Sequence, residues 1–250
     1  MTWNYVMGLV STVALSLPIL TIIATRLHGY RSFPALLVYY IVVASYNMLT
    51  QGYIKASDNF IYYFGIANNL LDTPLMVTFL SYFSATTLAK KRMRIAVIAF
   101  IAFELIIISL FGITVKGMTI IMGPGIVLVL SFCLPYFVRL TKITIVNQKA
   151  MGKAMMVASL LFAYGCYSII YVMYYLLDSK DVQNTFLVYF FASTFSTLLM
   201  SAGIVVERKR VQKLSELKIV RKELSELYAE DKTATPLRPA IFDYDKEQWN

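Results

Sequence analysis

The chain has 250 residues, 58% of them hydrophobic and 15% charged, with a mean hydropathy of +0.65. That balance excludes an ordinary soluble domain and fits a polytopic membrane protein. The net charge of +9 sits in basic stretches between apolar runs, so it requires no nucleic-acid partner, and those stretches suit the anionic surface of membrane lipids.

Seven apolar runs follow one another at residues 5–25, 33–54, 60–88, 95–113, 118–140, 154–177 and 185–206. Each is about long enough to cross a ~30 Å hydrocarbon core. Connections are short, so consecutive helices are expected to be antiparallel neighbours. With the N-terminus outside, all but three of the 23 Lys and Arg residues fall on the inner side, the exceptions being Lys55, Lys116 and Lys180. The positive-inside rule therefore predicts N-terminus out, seven spans and C-terminus in. No internal repeat of the kind found in duplicated transporters is apparent.

The first run begins almost at Met1 with no basic n-region or small-residue cleavage site, so it is expected to be a retained helix rather than a signal peptide. It carries Pro18 and several Ser and Thr and has the character of scaffold. His28, in the loop that follows, is the single histidine. One loop histidine cannot supply the ligand clusters of membrane hydroxylases, desaturases or zinc hydrolases. The second run places Tyr40, Ala44, Asn47 and Gln51 on one polar-leaning face.

The third run contains the stretch IANNLLDTPLMVTFL at 66–80. Asn68 and Asp72 are four apart and share a helix face, with Asn69 beside them. Pro74 removes a backbone donor and frees the carbonyl of Leu70. A carboxylate at that depth is costly and marks either a site or a hydrogen-bonded tether between helices. The fourth run has one charge, Glu104, which is either a neutral acid bonded to a neighbouring helix or a proton-linked partner of Asp72. The fifth opens with Gly123-Pro124-Gly125, small residues that allow close helix contact, and ends with Pro135.

In the sixth run Tyr164, Tyr167, Tyr171 and Tyr174, with Tyr175 beside the last, form a stripe at spacings of three and four. Tyr174 and Tyr175 fit an interfacial aromatic belt. Tyr164 and Tyr167 lie too deep for it and need hydrogen-bond partners; they either pack in the core or line a cavity. The seventh run adds Ser193, Thr194, Ser196, Thr197 and Ser201. Together these groups occupy the middle and outer half of the bundle, which predicts a pocket reached from outside. Cys133 and Cys166 both fall within spans, so no disulfide framework is indicated.

After Val206 the chain becomes charged and helix-favouring. Leu217, Val220, Leu224 and Leu227 stand at a/d spacing, which reads as a short coiled coil or partner helix, with a surface-lying helix as the alternative. The final stretch contains Pro236 and Pro239 and little apolar content, apart from Phe242, Tyr244 and Trp249; it reads as disordered. The expected organisation is thus a bundle over 1–206, a cytoplasmic helix over 207–230 and a disordered tail over 231–250.

Two short stretches carry a family resemblance. Thr73-Pro74-Leu75 resembles the Thr-Pro-Leu run of the third helix of microbial rhodopsins, and Ala163-Tyr164 resembles the Ala-Tyr of their retinal pocket. On that match Asn68 takes the position of the counter-ion carboxylate, Asp72 that of a polar threonine, and Phe79 that of the proton donor. The resemblance implies a rhodopsin-like seven-helix fold. The chain departs from the family at Gly165, where a proline is expected, and at Gly65, where an arginine is. The seventh run has no lysine for a retinal Schiff base, so no covalent retinal, and no other cofactor, is expected.

The sequence therefore predicts an all-α, multi-pass protein of a plasma or inner membrane that acts as a receptor or sensor subunit rather than an enzyme. A small-molecule ligand is expected among Asn47, Gln51, Asn68, Asn69, Asp72, Tyr164 and Tyr167. Signalling would pass through 207–230 to a cytoplasmic partner or a second copy. The alternative is a small proton-coupled carrier using Asp72 and Glu104. An intramembrane lipid enzyme with those two carboxylates as acid and base ranks third, since no nucleophile or metal set accompanies them.

Overall fold

A computed structural model describes residues 3–147, 150–173 and 182–230. Among them are seven α-helices: α1 (Trp3–Ala24), α2 (Phe33–Thr50), α3 (Asp58–Leu80), α4 (Thr87–Phe111), α5 (Val115–Asn147), α6 (Met151–Tyr171) and α7 (Val182–Glu230), with one 3-10 turn at Ser81–Phe83. The fold is all-α. Six of the helices, all but α3, are long and apolar enough to cross a membrane, the mark of a multi-pass membrane protein. Tyr174, Tyr175 and the tail 231–250 lie outside the described residues.

Local chemistry sets the helix ends. The oxygen of Ser57 accepts from the Phe60 amide at the start of α3, and that of Thr86 from the Ala89 amide at the start of α4. The long apolar run at 60–88 is therefore cut near its end, and Lys90–Arg94 form the first turns of α4 rather than a loop. α2 ends in a paired turn, with Tyr53 N–H on the Met48 carbonyl and Gly52 N–H on that of Leu49. This turn needs the positive φ of 75° that Gly52 adopts. From Ile204 to Glu230 the sequence has no Gly or Pro, and the helix continues unbroken through the expected boundary at Val206.

α1, α2, α3, α5, α6 and α7 form a closed ring in which α1 packs against both α2 and α7, and α3 against α2 and α5. α4 lies outside the ring, against α3 and α5. Its outer face is apolar and bare: Ile98 is 67% and Leu110 71% exposed. Such faces on a helix of this composition are suited to lipid rather than water.

Two apolar clusters hold the bundle. The larger fills the half nearest the basic loops and includes Phe33, Leu36, Met76, Phe79, Leu80, Met156, Leu160, Met200 and Ile204. The smaller joins α4 to the ring through Phe100 and Ile107 against Ile66, Met118 and Ile121. α6 and α7 approach to backbone contact at Gly152 and Gly203. A Cβ on Gly152 would lie 2.7 Å from the amide nitrogen of Glu207, and one on Gly203 3.0 Å from the Gly152 carbonyl oxygen. Small residues permit this approach, and packing then drives association where lipid offers no hydrophobic gain.

Candidate functional site

A cavity of about 170 Å³ opens between α2, α3, α5, α6 and α7. It extends from the middle of the bundle toward the end opposite the basic loops. α3 supplies a polar wall of Asn68, Asn69, Asp72 and Thr73, which helical spacing places on one face. α6 supplies Tyr164, Tyr167, Ile170 and Tyr171, α2 supplies Tyr39, and α7 supplies Tyr189. α5 closes the remaining side with Ile121, Met122 and Ile126.

Asp72 is the polar centre. The Tyr164 hydroxyl donates to its Oδ1 at 2.9 Å, and Tyr39 lines the cavity with it. Tyr164 is 1% exposed and meets Tyr167 edge-on at 5.9 Å between ring centroids. Tyr167 in turn stacks on Tyr189 at 5.7 Å. The Tyr171 hydroxyl donates to the Thr119 carbonyl at 3.1 Å and so ties α6 to α5. Asn68 Oδ1 is buried without a hydrogen-bond partner. Among the described residues no Lys or Arg lines the cavity. A smaller cavity of about 20 Å³ adjoins it, sharing Tyr39, Tyr164, Tyr167 and Tyr189 and lined also by Met76, Ser159, Ser193, Ser196 and Thr197.

Five of the seven expected ligand-binding residues, Asn68, Asn69, Asp72, Tyr164 and Tyr167, come together here. Asn47 and Gln51 are not among the lining residues. Asn47 donates to the Thr12 hydroxyl on α1 at 2.8 Å, and Gln51 packs against Gly8, so this face of α2 fastens it to α1. The expected placement of those two residues in the pocket is corrected accordingly. Tyr39 and Tyr189 are the lining residues that sequence reasoning missed. Tyr39 and Val43 are four apart and stand one position round from the Tyr40–Ala44 pair, and that turn of about 100° brings them to the cavity. Glu104 also stands apart from the lining. It is 5% exposed on the α4 face between Phe100 and Ile107, and its Oε1 has no hydrogen-bond partner.

A second polar cluster sits at the basic end. The Tyr82 hydroxyl donates to Glu207 Oε1, which also receives Arg210 Nε at 2.8 Å. Arg210 Nη2 reaches the Tyr82 oxygen at 3.2 Å. The ammonium of Lys153 lies 5.0 Å over the Tyr82 ring, a cation–π contact in a site with little water. Tyr82 is held edge-on by Phe33 and Tyr30. Glu207, 1% exposed, and Lys153, 6% exposed, are both buried. The start of the expected cytoplasmic helix is thus part of the packed bundle, and α7 becomes continuously exposed only from Ser215 onward.

Among the described residues no group of three or more His, Cys, Asp and Glu could hold a metal ion. No protein-family model, curated protein or solved structure matches the chain.

Proposed function

We propose that this protein is a seven-span membrane receptor or sensor subunit, N-terminus out. It binds a small molecule in the tyrosine-lined cavity and passes the change along α7 to a cytoplasmic partner or a second copy. α3 is the seventh crossing. Its 23 residues reach about 34 Å at 1.5 Å each, and its polar face is turned to the cavity, with α2, α4 and α5 around it. Polar residues are tolerated in a span when they face a bundle interior.

The observation that carries the reading is the continuity of α7. One helix supplies Tyr189 to the cavity wall, Glu207 and Arg210 to the packed basic end, and then the exposed segment leading to Glu230. Spin labels at Lys91 and Ser215, in a protein with Cys133 and Cys166 replaced by Ser, test the link. Asp72→Asn and Tyr164→Phe are expected to change the label-to-label distance distribution relative to the otherwise unaltered protein. Identical distributions in all three folded proteins would remove the link between cavity and helix. Orientation is checked by impermeant maleimide, which should label Lys55→Cys from outside and leave Lys91→Cys untouched.

Proton-coupled transport is the second reading, favoured by the unpartnered, buried Glu104 carboxylate oxygen. It requires proton uptake by reconstituted vesicles that Asp72→Asn or Glu104→Gln abolishes.

A further inference from the structure

We infer that the ligand class of the cavity is a protonated primary or secondary amine with a compact apolar body, an inference that rests on the receptor reading of the same site. The charge balance points this way first. A carboxylate offers about four lone-pair positions; Tyr164 takes one at Asp72, and no basic side chain among the described residues lines the cavity to neutralise it. A carboxylate in a site with little water is stabilised by a hydrogen-bonded cation. Asn68 adds a second requirement. Its buried Oδ1 is an acceptor without a donor, on the same face of α3 as Asp72, one helical turn away. An ammonium N–H can serve either oxygen, whereas a quaternary ammonium offers no N–H to either.

The opposite wall fixes the rest of the ligand. Tyr39, Tyr167 and Tyr189 present rings, whose negative faces attract a cation and whose area buries an apolar body. A bare metal ion fits poorly. Hard cations are surrounded by six or more oxygens, and here the carboxylate and amide side chains, Asn68, Asn69 and Asp72, all come from one helix. Size sets a bound, because a cavity of about 150 Å³ holds benzene. At about 170 Å³, this one takes a body of about six to eight heavy atoms on that scale.

The test uses the full chain in nanodiscs, with binding of cyclohexylammonium measured by calorimetry. Its neutral isostere cyclohexanol and the quaternary tetramethylammonium ion serve as comparisons. Saturable binding of cyclohexylammonium is expected, with both comparison compounds at least about tenfold weaker, a 1.4 kcal/mol discrimination. Asp72→Asn should abolish the preference over cyclohexanol. Tyr189→Leu should weaken binding while Tyr189→Phe, which keeps the ring, retains it; this pair stands in should Asp72→Asn fail to fold. Equal binding of amine and alcohol, tighter binding of tetramethylammonium, or no binding of cyclohexylammonium would each overturn the amine assignment. None of those results touches the spin-label distances, which decide the receptor reading separately.

Discussion

Two carboxylates inside this bundle, Glu207 buried and Asp72 half-buried, each accept a hydrogen bond from a tyrosine, and their surroundings differ. Glu207 meets Tyr82 together with Arg210, and Lys153 lies over the same tyrosine ring. The layer around it is packed to backbone contact at Gly152 and Gly203. Asp72 meets Tyr164 beside open volume, with no cationic side chain among the described residues on the cavity wall. At the first, Glu207 and Arg210 form an ion pair inside packed side chains, with Lys153 held over the Tyr82 ring. The second leaves a negative group and an unpartnered amide oxygen facing space. The residue type does not distinguish a tether from a site; the presence of counter-charge and of packing does.

The largest expected effect tests the closed end. Replacing Glu207 by Ala leaves Arg210 and Lys153 mostly buried without their anion. Removing one partner of a buried pair costs about 3 kcal/mol or more, so Glu207→Ala should lower the unfolding midpoint markedly in a denaturant titration in mild detergent. A neutral result there would break the distinction between the two ends. At the cavity, Asp72→Asn should cost only about 0.6 kcal/mol, the typical worth of an intramembrane hydrogen bond. It should nonetheless remove ligand binding, read on the same preparation by calorimetry. A large loss of stability at Asp72 would make it a second tether. The smallest effect on the bundle belongs to Leu217→Asp combined with Leu224→Asp. Both side chains are exposed, so the change in stability should stay near zero, while association through the exposed helix, followed by sedimentation or by crosslinking of copies in the membrane, is lost.

Much of the open end was legible in sequence, because its signals are local. The four-residue spacing of Asn68 and Asp72 and the stripe containing Tyr164 and Tyr167 put each set on one helix face, and those faces meet. α2 was harder. Its polar residues Asn47 and Gln51 drew attention to the face that packs on α1, while Tyr39, one position round from Tyr40, reaches the cavity. A helix turns about 100° per residue, and nothing local says which of two adjacent tyrosines looks inward. The closed end was not legible at all. Tyr82 and Glu207 are separated by 125 positions, and from sequence Glu207 is the first residue of a charged tail. Its burial depends on Gly152 admitting the α7 backbone, a fact of tertiary packing. The continuity of α7 could have been read, since neither Gly nor Pro interrupts the chain from Ile204 to Glu230.

That continuity has a mechanical consequence. Gly203 is one of the points where α7 comes into backbone contact with α6, and it divides the helix unequally. Tyr189 is 14 residues to one side and Glu230 is 27 to the other, arms of about 21 Å and about 40 Å at 1.5 Å per residue. A stiff rod rocking on that fulcrum swings its long arm about twice as far as its short one, and in the opposite direction. A displacement of the Tyr189 ring by about 1 Å would thus become about 2 Å at the far tip, the scale of the helix shifts that accompany switching at interfaces.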